Sequence, residues 1–427
     1  MTDTFSSAHA PARSRLKWRP FWLACHLYLG LTLGLILALT GLTGSLLVFY
    51  VELDELINPD IQIRETESVR QVSYEAIFQA LHRTHPERIK SWRLEIPRHP
   101  QAPMMARYYR PDETKHLQFA PLIAWINPYT AEVLSSRFWG RFVMTWIYDL
   151  HYQLLLDLSG KTVMAVIGGL SLISLATGLY LWWPPLSKIK SALSIKFGAG
   201  WKRRIYDWHK VSGVYGLLFL LILSVTGTLL ELPDFFNPAI AKLSPLYQSP
   251  SIASDDRSSL PRISLDRAAA IAQTIFPEGQ LRWLETPSGP QGIYRVQLYQ
   301  NGEPSRRFPK STVWIDQYSG KVLAVRDPYA QSGGDLFLSW LHPLHSGEVA
   351  GLFGRLLVML AGLVPITLYI TGFIRWRQKL KAKTKRFSIK GRHHVDKRRT
   401  QRILSIAFNI AFISCWAGSH HLSVIPA

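Results

Sequence analysis

Residues 21–50 read FWLACHLYLGLTLGLILALTGLTGSLLVFY, an apolar run with no Asp, Glu, Lys or Arg and a single histidine. A bilayer core is roughly 30 Å thick, so about 20 helical residues of this kind cross it. Three further runs, 162–183, 211–230 and 350–374, meet the same length, and none has Asp, Glu or Lys in its middle. The four runs predict four membrane-spanning helices packed as a bundle. The first is too long for a secretory leader and lacks a small-residue cleavage site, so it reads as a retained anchor.

The formal net charge of +20 first suggests a nucleic-acid partner, but its placement argues otherwise. Residues 1–20 hold four Lys/Arg, 184–208 hold six and 375–402 hold thirteen, against only Asp3, Asp207 and Asp396. These three segments carry the whole excess, and the rest of the chain balances. They lie at alternate ends of the apolar runs, which is the positive-inside pattern. The N-terminus, the 184–208 loop and the basic tail are therefore expected in the cytoplasm. Segments 51–161 and 231–349 are expected outside, in the periplasm of a cell whose inner membrane holds the chain. Basic runs beside a membrane meet anionic lipid, so no nucleic acid is expected. The outer segments contain no cysteine and hence no disulfide framework. The absence of C-x-x-C-H from the sequence excludes a covalent c-type haem.

An internal duplication organises the chain. At an offset of 183, His26 falls on His209, Gly30 on Gly213 and Thr43-Gly44 on Thr226-Gly227. At 194, Trp146 falls on Trp340, Leu150-His151 on Leu344-His345, Gly160 on Gly354, Gly168 on Gly362, Thr177-Gly178 on Thr371-Gly372 and Trp182 on Trp376. The outer segments match as well. Ser73 and Ser264 are N-cap candidates opening helical stretches, and Trp125–Leu134 and Trp314–Leu323 each read as a strand, a turn and a second strand. Each outer segment is thus expected to be a small α+β lobe. The expected order is a basic tail (1–20), helix 1 (21–50), lobe 1 (51–140), and a His-bearing segment with helix 2 (141–183). After a basic loop (184–208) come helix 3 (209–232), lobe 2 (233–334), and a second His-bearing segment with helix 4 (335–376). A basic segment (377–402) and a short apolar stretch (403–427) follow, the last a candidate fifth helix.

Four histidines recur through the duplication: His26 and His209 at the cytoplasmic level, His151 and His345 at the outer level. Histidine in a membrane helix is costly and tends to mark function. Two imidazoles facing across a bundle suit a b-type haem, and two pairs at two depths suit two haems. Gly30, Gly34, Gly213, Gly216, Gly168 and Gly169 could admit a flat ring, although glycines in membrane helices also serve helix packing. The four Thr-Gly pairs read as packing or kinking devices. His342, three residues before His345, is a rival ligand on the same helical face.

The pattern resembles the PepSY-associated transmembrane family, iron-regulated bacterial inner-membrane proteins, and within it the ferric-siderophore reductases. The resemblance rests on His26 with Thr43-Gly44, Leu150-His151 with Thr177-Gly178, Trp208-His209 with Thr226-Gly227 and Leu344–Gly347 with Thr371-Gly372. It spans nearly all of residues 15–380, with the outer segments similar to PepSY domains. It implies haem iron held by His26, His209, His151 and His345, and electron transfer to a periplasmic ferric siderophore with release of ferrous iron. With no G-x-G-x-x-G and no P-loop, the electrons are expected from a quinol or a redox protein. Two other readings stand beside it: a non-redox sensing or protease-regulating protein working through its lobes, and a transporter subunit. Bound haem discriminates the first from both. Arg107, Tyr108, Tyr109, Arg295 and Tyr299 are candidate substrate contacts, with a solvated strand face as the plainer reading.

Overall fold

The computed structural model describes residues 18–63, 70–255 and 260–390. The candidate fifth helix at 403–418 lies outside the described residues, as does most of the N-terminal basic tail. The first copy runs α1 (Trp18–Thr32), α2 (Gly34–Leu47), α3 (Tyr50–Ile57), α4 (Tyr74–Thr84), β1 (Trp92–Glu95), β2 (Met104–Tyr108), β3 (Leu122–Ile126), β4 (Val133–Phe138), α5 (Val143–Gln153) and α6 (Asp157–Trp182). A short α7 (Ile189–Ala192) precedes the second copy. That copy runs α8 (Trp201–Glu231), α9 (Pro233–Leu243), α10 (Leu265–Ile275), β5 (Gln280–Glu285), β6 (Ile293–Tyr299), β7 (Ser311–Asp316), β8 (Val322–Arg326), α11 (Gly333–Ser346), α12 (Gly351–Gly362) and α13 (Val364–Lys390).

Three helical stretches, Asp157–Trp182, Trp201–Glu231 and Glu348–Ala382, are long and apolar enough to cross a membrane. The pair α1–α2, bent by 54° at its break, meets the same test only when its two helices are taken together. The bend falls where the Thr32 hydroxyl donates back to the Tyr28 carbonyl, a bond that loosens a helix. Large apolar side chains such as Leu35, Leu218 and Phe353 point outward, as a lipid-facing surface requires. The helices of the two copies meet through small residues. A Cβ at Gly41 would stand 2.3 Å from the Gly362 carbonyl oxygen, and one at Gly168 2.3 Å from Thr228 Oγ1. Ser45 Oγ donates to the Met359 carbonyl at 2.8 Å and Ser171 Oγ to Ser224 Oγ at 2.8 Å, so polar contacts accompany both close approaches.

The outer segments do not fold as two separate sheets. Their strands form one antiparallel sheet of eight, ordered β4-β3-β2-β1-β5-β6-β7-β8. The copies join at β1–β5, where Arg93 pairs with Glu285, Leu94 with Leu284 and Glu95 with Trp283. Alternation along the strands sends one set of side chains to a core under α4 and α10, including Trp92, Leu94, Val296 and Ile315. Ser73 and Ser264 cap these helices as expected, accepting from Ala76 N and Arg267 N. The caps are also exchanged. Asp266 accepts from Tyr74 N and Glu75 N, while Glu75 accepts from Leu265 N. The opposite face of the sheet looks toward the bundle. There Trp125 packs with Ile61 and Phe142, and Tyr247 stacks on Trp314.

Candidate functional site

The four repeated histidines come together as two pairs. His26 on α1 faces His209 on α8, with ring centres 6.4 Å apart, at the end of the bundle away from the sheet. His151 on α5 faces His345 on α11, 6.3 Å apart, at the sheet end. Each pair takes one ring from each copy. His209 and Thr226, the residue behind His345, are separated along α8 by about 25 Å at 1.5 Å per residue, so the pairs occupy two levels.

Each imidazole is seated on a Thr-Gly pair of a neighbouring helix, and all four seats are alike. His26 Nδ1 contacts the Ser174 carbonyl at 3.1 Å and Thr177 Oγ1 at 3.2 Å. His151 Nδ1 contacts the Thr40 carbonyl at 2.9 Å and Thr43 Oγ1 at 3.1 Å. His209 Nδ1 contacts the Leu368 carbonyl at 3.1 Å and Thr371 Oγ1 at 3.0 Å. His345 Nδ1 contacts Thr226 Oγ1 at 2.9 Å and bonds the Leu223 backbone. A carbonyl only accepts, so Nδ1 carries the proton and the Nε2 lone pair is free. Each threonine hydroxyl donates to a carbonyl of its own helix and can still accept from the ring.

The glycine of each pair lets the ring approach the helix. A Cβ would stand 2.8 Å from His151 Cε1 at Gly44, 3.0 Å from His26 Cε1 at Gly178, 3.1 Å from His345 Cε1 at Gly227 and 3.3 Å from His209 Cε1 at Gly372. The Thr-Gly pairs are therefore more than packing or kinking devices: they orient the histidines. Sequence reasoning found them as repeats but missed this role. The seats are reciprocal within a copy. α6 seats the His26 that precedes it, and α2 seats the His151 that follows.

The pairs have the dimensions of two imidazoles on one metal ion. A midpoint lies 3.2 Å from each ring centre, half of 6.4 Å. A metal–imidazole bond of about 2 Å, plus about 1 Å from nitrogen to ring centre, gives nearly the same length. Among the described residues no three or more His, Cys, Asp or Glu gather in one cluster. A two-histidine site therefore suits a metal whose other donors come from a macrocycle. Of the six glycines expected to admit a flat ring, Gly30 and Gly169 meet nothing within 4 Å. Gly213 is in ordinary contact with Leu368 at 3.5 Å. Gly34, Gly168 and Gly216 sit close against Tyr369, Thr228 and Val364 and serve packing instead. The ring opposite His151 is His345, while His342 packs edge-on against Phe308 at 4.8 Å.

The candidate substrate contacts divide between the two sheet faces. Arg107 and Arg295 lie on the bundle-facing side, Tyr109 reaches Arg93 beside them, and Tyr108 is buried in the core under α4 and α10. Tyr299 is buried, with Arg306 over its ring. Burial alone would raise Glu95, but Arg107, Arg98, Arg307 and Arg282 hold its carboxyl below the usual range.

The duplicated helix–lobe–helix unit with apolar spans defines a membrane protein that carries a soluble sheet. Residues 23–379 match the family described as PepSY-associated TM region, and the chain belongs to that family. No curated protein matches it.

Proposed function

We propose that the chain is a di-haem b-type electron carrier of the inner membrane that reduces a periplasmic ferric-siderophore complex and releases ferrous iron. The observation that carries this reading is the pairing of four identically seated histidines at two levels. A haem with two imidazole ligands supplies a one-electron iron couple with no open coordination position. His26 and His209 would hold one haem near the cytoplasmic face, and His151 and His345 the other near the sheet. The Nδ1 bonds to carbonyls fix the tautomer that offers Nε2 and add to its donor strength. Apolar helices around the pairs exclude water. The basic segments at the far end support a cytoplasmic N-terminus and a periplasmic sheet. Electrons would come from a quinol or a redox protein.

The test is the absorption spectrum of the purified protein, oxidised and then reduced with dithionite, with a haem count. Two b-type haems per chain, falling to one in His26→Ala or His345→Ala, are expected. A protein that stays colourless with added haem rejects the reading and favours a sensing or protease-regulating role for the sheet.

A further inference from the structure

The bundle-facing side of the sheet carries a row of arginines. Cross-strand pairing places Arg137, Ile123, Arg107, Arg93, Glu285 and Arg295 side by side across six strands. Directly opposed like charges destabilise a sheet unless something compensates them. Arg137 is compensated by Asp60, Arg107 by Glu95 and Arg295 by Glu285. Arg93, in the middle of the row and directly opposite Arg107, has no carboxylate within ion-pair distance among the described residues. Its partners are Gln297, Tyr109 and the ring of Trp283, whose centre is 4.2 Å away. Arg107 lies over the same ring at 4.9 Å. Arg93, Arg107 and Arg295 each keep a buried Nε with no hydrogen-bond partner among the described residues. Burial lowers the Arg295 guanidinium from its ordinary value, Glu285 opposes this, and the charge of Arg93 adds to the lowering. The Arg295 end of the row is open to solvent, its side chain 38% exposed, while Arg107 is largely buried.

We propose that this row, centred on Arg93 with Arg107 and Arg295, binds anionic ferric chelates, those with carboxylate or catecholate oxygens, in preference to neutral ones. Arg93, which has no carboxylate at ion-pair distance among the described residues, and the partly exposed Arg295 supply the positive charge that such oxygens are drawn to. The inference rests on the reductase reading for the iron, but the charge preference comes from the sheet alone.

The test uses redox-inert gallium(III) complexes, one tris-catecholate and trianionic, one tris-hydroxamate and neutral, titrated into the full chain by calorimetry. The trianionic complex is expected to bind at least tenfold tighter, with an affinity that falls as salt rises. Arg93→Gln should weaken it by about tenfold, the loss of one charged hydrogen-bonding group, and leave the neutral complex unchanged. Arg295→Gln provides a second variant should Arg93→Gln fail to fold. Equal affinity for the two complexes, or variants that keep the preference, would overturn the proposal. So would loss of a haem from folded Arg93→Gln, because the guanidinium would then serve the cofactor's own carboxylates. Gallium binding needs no electron. A colourless protein that prefers the trianion keeps this proposal and drops the reductase, and a haem-loaded protein without the preference does the reverse.

Discussion

A methyl group added at Gly178 would land 3.0 Å from Cε1 of His26, while one added at Gly30 would meet nothing within 4 Å. Both glycines sit in membrane helices of similar composition, and only one lies behind a ligand candidate. Gly178→Ala is therefore expected to push the imidazole off its seat and weaken haem retention at the far end by 10- to 100-fold, roughly the effect of disturbing a ligand's support. Gly30→Ala should leave both haems in place. A haem count after dilution of each detergent-purified variant measures the contrast, and equal retention would remove the seating role. The histidines themselves were legible, because the duplication marked all four. Their relation to Thr-Gly was not. A spacing of 17 or 26 residues along the chain does not say which neighbouring helix a side chain meets.

Among the elements, α4 and α10 depend on each other for their N-termini. Asp266 accepts two N–H groups of α4 and Glu75 one of α10. Replacing either acid by Ala should cost about 1 kcal/mol of sheet-domain stability, and replacing both about 2 kcal/mol, on the scale of lost helix caps. Denaturant melts followed by circular dichroism report this, and no loss in either single variant would show that water replaces the caps. The sequence indicated both helices, the serine caps and the outer strand pairs at Trp125–Leu134 and Trp314–Leu323. It did not indicate that the lobes share one sheet. The joining strands are short, β1 having four residues, and arginines interrupt their apolar alternation. Their pairing is a long-range contact that local pattern does not encode. The bend in the first span was equally hidden, since 21–50 reads as one apolar run.

For the whole molecule, each histidine is supported by its own copy and faced by the other. The halves should fold separately enough to hold their seats, yet neither contains a complete pair. Cleaving the connection between α7 and α8 near Gly198 should leave two haems on the nicked, associated protein. Residues 1–197 or 198–427 expressed alone should hold none as monomers. Co-expression followed by a haem count and a mass measurement checks both outcomes, and a monomeric half that binds haem at full stoichiometry would break the assignment. The apolar runs and the duplication made this architecture legible in outline.

The exchange between copies also bears on ancestry. A chain of half this length, with one helix–lobe–helix unit, would expose an unpaired strand β1, a half-capped helix and two histidines facing empty space. Two such chains related by a two-fold axis would satisfy all three at once, as a symmetric homodimer. Fusing them into one chain frees the two halves to diverge. The chain shows that divergence where the copies join: Arg93 faces Glu285, but the symmetry-related Glu95 faces Trp283 and not a second arginine.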